Sequence, residues 1–362
     1  MKRAISIILT LVMCLSVVVF ANAQTVDLSS LTLEQLVELA KKDGHVESVG
    51  MPGDWANWED SWNYITETYG ITHYDTDMTS AEELAIMKAE GTNGTKDIGD
   101  VGHAFTTTVV EEGITQGFKP STWDSIPDWA KDPEGRWIIS YTGTISFATN
   151  TTLSNGVVPA SWAELMDSKL KVSVGNVVAG AASQAAVLSC AIAMGGGLDN
   201  VQPGIDYFKK LAEEGRLDPG DTNRERLANG EMVVCAGLYD YSSLAHRDAI
   251  NASDSGMKIE VTIPQDGAVT SGYALVFNAN APHPYATALT LEYLLSDQGQ
   301  IDRAYGYARP VRDVKLPEDA QAMMLDSSLY ANTTPITDVT QFTAACKEIA
   351  RLWEEEVVPF MY

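Results

Sequence analysis

The sequence predicts an α/β fold in two lobes, each a mainly parallel sheet flanked by helices. Three observations carry this expectation. From about residue 32 to residue 113, short β-prone runs alternate with helical segments, the pattern that builds a parallel sheet with helices on its faces. A second α/β series begins near residue 148. No low-complexity linker or long charged run separates the two series, so the lobes are expected to be joined by extended crossings, for which "YTGTISFATN" and "TSGYALVFN" are the natural segments.

The elements follow in order. "LTLEQLVELAKKDG" is a helix with marked ends: Thr32 and Gln35 make a capping box and Gly44 stops it. "HVESVGM" is a short strand. In "MPGDWANWEDSW", Asn57 is a candidate N-cap with Asp60 in the first turn. Trp58, Trp62, Ile65 and Tyr69 recur at helical spacing and form one buried face, which leaves Trp55 unexplained by core packing. "ITHYD" is the next strand, "TDMTS" a turn, and Ser80 is expected to cap "AEELAIMKAEG" with Glu83 three residues on. "DIGDVG" is a third strand and "HAFTTTVVEEG" a third helix. In the second series, "SWAELMDSK", "AGAASQAAVLSCAIAMGGG", "GIDYFKKLAEEG" and "NRERLANG" are helical, while "KVSVGN", "EMVVCAGLYDY" and "MKIEVTIP" are strands. One more strand and two helices follow, and His283 in "APHPYA" belongs to a helix start.

Charge and the N-terminus bound the function. Met1-Lys2-Arg3, the apolar run Ala4–Phe20 and the small-x-small site Ala21-Asn22-Ala23 read as a secretory signal cleaved after Ala23. Cys14 follows Met13 rather than a small residue, which argues against a lipid anchor. The formal net charge of −25 makes nucleic acid and anionic membranes poor partners. After cleavage Cys190, Cys235 and Cys346 remain, an odd number that gives no disulfide framework, although one bridge between two of them stays open.

In order along some 280 residues, "MPGDWANWEDSW", "DTDMTSAEE", "DIGDVG", "W-IISYTGTISFATN", "VPASWAELMDSKLK", "NANAPHPYATALTLEYLLSDQGQ" and "GYARPVR" resemble the extracellular solute-binding proteins of bacterial ABC importers. The resemblance is to the two-lobed class of ferric-ion and polyamine binders. It implies a type II periplasmic-binding-protein fold, a small-molecule solute held between the lobes, and a permease in the inner membrane as partner. On that basis residues 1–23 are the signal peptide, 24–147 with 270–362 one lobe, and 148–269 the other. The mature protein is expected to be a periplasmic monomer that uses no cofactor.

Candidate site residues follow from the rule that ligands collect beyond the carboxyl ends of parallel strands. Three strand ends carry polar groups: Asp54 and Trp55; Thr79 and Ser80; Asp100 and Gly102, with His103 next. Trp55 can stack on a ligand or hold a cation, and Asp54 can pair with an amine. Ala182 and Ser183 open a small-residue helix whose free amides suit an anion. Tyr141 and Tyr273 lie in the crossing segments. Tyr239 and Tyr241 share a face if the strand persists past Leu238, with Asp240 pointing away. The resemblance makes these two tyrosines an alternative ferric site, joined by His103, Asp54 or Asp100, although the intervening aspartate departs from the adjacent pair of the ferric binders. An enzyme of thiaminase type on the same architecture would need a cleft cysteine. Cys235, inside "MVVCAGL", instead reads as a small core hydrophobe.

Overall fold

The computed structural model describes residues 28–361; the signal segment, its cleavage site and Cys14 lie outside the described residues. Helix α1 (Leu33–Asp43) has both ends marked in the sequence. The Thr32 side chain accepts the Gln35 amide, Gln35 reciprocates, and Gly44 closes the helix at φ 68°. Strand β1 (His45–Val49), α2 (Trp58–Tyr69), β2 (Thr72–Thr76), α3 (Ser80–Glu90), β3 (Ile98–Gly102) and α4 (Thr106–Glu111) complete the first series. Trp58, Trp62 and Ile65 form the buried face of α2, as their spacing requires.

Two caps differ from expectation. Asn57 is the N-cap of α2 but sits in the left-handed region (φ 56°, ψ 46°), where its amide does not cap. It reaches Asp60 at 2.8 Å and the Asp302 carbonyl at 3.1 Å instead. The cap of α3 is Thr79, boxed with Glu82, and not Ser80 with Glu83. That shift of one residue turns Glu83 from the surface to the interior, where it is 1% exposed.

The pivot is the long strand β4 (Ile138–Asn150). After it come α5 (Trp162–Asp167), β5 (Val172–Ser173), α6 (Ala181–Ala193), α7 (Gln202–Glu213), β6 (Leu217–Asp218), α8 (Arg224–Ala228), β7 (Val234–Tyr239), α9 (Asp240–Ala252) and β8 (Ile259–Thr262). Strand β9 (Ala268–Phe277) returns the chain to the first sheet. Then follow α10 (Pro284–Leu294), α11 (Asp297–Tyr305), β10 (Arg309–Pro310), α12 (Glu318–Met323), β11 (Thr333–Pro335) and α13 (Val339–Leu352).

Strands β1, β2 and β3 are parallel, and β9 and β4 follow as antiparallel neighbours in the order β2-β1-β3-β9-β4. On the other side the order is β4-β7-β5-β6, with β5 parallel to β6 and β7. Strand β4 serves both sheets. Residues 138–144 pair with β9, and residues 145–150 pair with β7 and β8. The result is two α/β layers sharing one strand, parallel except where the chain crosses.

The last helix lies over both layers. Helix α13 packs on α6 of the second series and on α4 and the turn His103–Phe105 of the first. Just beyond it, Trp353 meets Phe208 of α7 at 5.4 Å between ring centroids. Cys190, Cys235 and Cys346 are free and buried. Burial pushes the Cys235 thiol up to about 12, consistent with a core hydrophobe.

Candidate ligand-binding site

A cavity of about 420 Å³ opens where the carboxyl ends of the parallel strands from both sheets converge. From the first series come Gly50 after β1, Trp55, the turn Asp77-Met78-Thr79-Ser80 after β2, Glu82 and Glu83 of α3, and Asp100 of β3. Facing them are Asn176 beyond β5, Gly180–Ser183 at the start of α6, Asp221 and Thr222 beyond β6, and Gly237 and Leu238 of β7. Tyr273 of the crossing strand β9 joins the two walls.

Trp55 is half-buried. Its indole N–H donates to the Tyr141 hydroxyl at 2.9 Å, and its ring meets Tyr273 at 5.5 Å and Tyr241 at 6.1 Å between centroids. Tyr141 in turn donates to Asp100 Oδ2 at 2.6 Å. Asp100 is fully buried, and burial pushes its carboxyl up to about 7 against the opposing pull of the Tyr141 hydroxyl and Arg303. Glu83 accepts the Asp100 amide at 3.1 Å through Oε2. Burial first, and the Asp100 charge second, hold Glu83 well above the usual carboxylate range. Two glycines make room for this carboxyl. A Cβ at Gly50 (φ +67°) would stand 2.3 Å from Glu83 Oε1, and one at Gly99 2.7 Å from Oε2.

The opposite wall has a different polarity. The first amides of α6 have no carbonyl one turn earlier in their own helix, and the helix dipole adds partial positive charge there. Ser183, 5% exposed, lines the cavity with no hydrogen-bond partner for its hydroxyl among the described residues.

Of the candidates from sequence, Trp55, Thr79, Ser80, Asp100, Ala182, Ser183 and Tyr273 line the cavity. Five do not. Asp54 is exposed and faces Arg224 of α8 at 3.8 Å. Gly102 marks the place where the lobes touch: a Cβ there would lie 2.2 Å from that of Ala181. Tyr141 stands behind Trp55 as its hydrogen-bond acceptor. Tyr239 and Tyr241 are fully buried, because β7 ends at Tyr239 and α9 begins at Asp240. Their rings stack at 5.9 Å over Gly143, where any Cβ would collide with them. Asp240 is turned to the Thr144 amide and the Tyr330 hydroxyl.

The two tyrosines of the alternative ferric site do not line the cavity. Burial pushes both phenols above their ordinary value. His103 is also buried, between Trp137 and Phe342, with its imidazole pushed down to about 4. Among the described residues no group of three or more histidine, cysteine, aspartate or glutamate side chains is placed to hold a metal ion.

Sequence reasoning missed Glu83, Asn176, Thr222 and Gly237. The carboxyl-end rule, extended to the second series, marks Asn176 and Gly237. Strand β6 is two residues long and leaves no periodic signal for Thr222.

Residues 93–329 match the family model of the bacterial extracellular solute-binding proteins. The chain belongs to that family. As a solute-binding protein it has close structural likenesses. One is the periplasmic binding protein AfuA of Actinobacillus pleuropneumoniae with fructose-6-phosphate bound: TM-score 0.72, 17% identity, covering 86% of this chain and 98% of that one. A second is the apo ferric ion-binding protein A of Pasteurella haemolytica: TM-score 0.67, 15% identity, covering 88% and 99%. A third is the periplasmic binding protein P5PA: TM-score 0.71, 15% identity, covering 87% and 99%. At these identities the likeness is one of fold, and the fold is the two-lobed type II arrangement. A comparison with curated protein sequences gave no match. The family consists of binding proteins and not enzymes, and Cys235 of this solute-binding protein is buried and does not line the cavity.

Proposed function

We propose that this protein captures a small solute in the cleft between its lobes and delivers it to the permease of an ABC importer in the inner membrane, acting as a periplasmic monomer cleaved after Ala23. The observation that carries the reading is the cavity itself. It lies at the carboxyl ends of parallel strands from two sheets, and each sheet supplies one wall. Dividing the chain into 24–147 with 270–362 and 148–269 is part of the same reading, supported by the change of partners within β4. The solute carries an anionic group, seated on the first amides of α6 beside the Ser183 hydroxyl.

Mass spectrometry of the protein purified from its own periplasm identifies the solute, and fluorescence tests its place. Adding it shifts the intrinsic emission of the wild type, and Trp55→Phe removes most of that shift. It also weakens binding by about 0.5–2 kcal/mol, the value of a stacking or cation–π contact. Because Trp55 also donates to Tyr141, some thermal stability is lost with it. A variant that binds normally and only melts earlier would make Trp55 a core residue and sink the cleft assignment.

A further inference from the structure

The first-lobe wall of the cavity is acidic. Asp77, Glu82, Glu83 and Asp100 line it, Asp221 stands opposite, and among the described residues no lysine, arginine or histidine lines the cavity. Glu82 is engaged in the Thr79 cap at 2.8 and 2.9 Å. Glu83 and Asp100 sit side by side, both buried. Arg303, the cation nearest in effect to Asp100, is stacked on Trp58 at 3.8 Å and donates to Ser61 and the Asn57 carbonyl, so its hydrogen bonds go away from the cavity. An independent observation singles out the same corner. The Tyr273 phenol, 7% exposed, lines the cavity beside Glu83 and Asp100 and has no hydrogen-bond partner among the described residues. A buried, unpartnered phenol beside Glu83, on which no cation is seen to act, makes an incomplete polar site. A hydroxyl would give one donor and no charge. A primary ammonium gives three donors and the missing charge.

We propose that Glu83, flanked by Asp100 and Tyr273, binds the ammonium group of the solute, whose anionic group sits at the start of α6; the ligand class is a small zwitterion, an amino acid or aminoalkylphosphonate, that bridges the lobes. This deepens the cleft reading and rests on it. The clearances at Gly50 and Gly99 are what admit the Glu83 carboxyl to that position.

Calorimetric titration of the mature protein with matched probes tests the proposal: 4-aminobutyrate against butyrate, 2-aminoethylphosphonate against ethylphosphonate, and fructose 6-phosphate as a hydroxyl-bearing anion. In at least one pair the amine binds about 10- to 100-fold tighter, the range of one charged hydrogen bond. Glu83→Gln brings that ratio close to one. Tyr273→Phe, which removes only a hydroxyl, lowers amine affinity with a normal melting curve, so the test survives if Glu83→Gln fails to fold. Equal affinities within both pairs, a ratio that persists in Glu83→Gln, fructose 6-phosphate binding alone, or no response to any probe would each overturn the ammonium site. The cleft reading falls separately, only if the co-purified solute leaves Trp55 fluorescence unmoved.

Discussion

Asp100 and His103 stand three residues apart, both buried, and respond to pH with opposite signs. His103 is held neutral in the fold, its imidazole pushed down to about 4, while the unfolded chain takes up that proton near about 6.5. Its contribution to stability is therefore present above about 6.5 and lost as pH falls toward 4. Asp100 is the reverse. Its carboxyl is at about 7 in the fold and near about 3.9 in the unfolded chain, so its contribution is full below about 3.9 and lost as pH rises to 7. Each effect is on the order of a few kcal/mol, and they oppose one another across the same window. Asp100→Asn is expected to steepen the rise of Tm between pH 4 and 7, and His103→Phe to flatten it. Identical pH slopes in wild type and both variants would refute the assignment. At this scale Trp55 was legible, because the helical face of α2 accounts for its neighbours and leaves it over. Glu83 was not, because Thr79-x-x-Glu82 and Ser80-x-x-Glu83 are overlapping capping boxes and only the backbone chooses between them.

At the scale of elements, β3 of one lobe meets α6 of the other at Gly102 and Ala181. Gly102 has ordinary backbone angles (φ −56°, ψ 144°), so a side chain there costs nothing locally. Its Cβ would nevertheless meet that of Ala181 at 2.2 Å. Gly102→Ala should leave Tm nearly unchanged while weakening binding about tenfold or more, since a gap of one methyl group is enough to separate a ligand from one wall. Adding Ala181→Gly should restore affinity. Normal binding by the single variant, or no rescue by the double one, would remove this contact from the closure. The elements themselves were mostly readable. The capping box of α1 and the apolar spacing of α2 are local signals, and β4 and β9 are long β-prone runs. Strands β5 and β6 are two residues each, set by their neighbours rather than by any pattern of their own. Helix α13 shows the remaining limit: its amphipathic spacing tells that one face is buried, but not that the face is shared by two lobes.

At the scale of the whole molecule, one continuous apolar core runs from the first series through the crossing strands into the second. Among the described residues the cysteines are distributed through the fold on α6, β7 and α13, each buried and unpaired. A thiol-reactive dye should therefore label Cys190, Cys235 and Cys346 negligibly in the native protein and fully in denaturant. Electrophoresis with and without reductant should give the same mobility. Rapid labelling of the native protein would mean that the core opens far more readily than this packing allows.

The position of β9 also has a consequence for biosynthesis. It lies between β3 and β4 in the first sheet, yet it follows the entire second series in the chain. No order of synthesis can complete the first sheet before residue 277 has emerged. Until then β3 keeps an open edge and β4 lacks the partner that holds its first half. The nascent chain thus carries a built-in delay between translation and compaction, because its decisive pairings span more than a hundred residues. A polypeptide that must be threaded through a translocation channel while still extended gains from such a delay. The same topology leaves an unpaired strand edge exposed until its partner arrives.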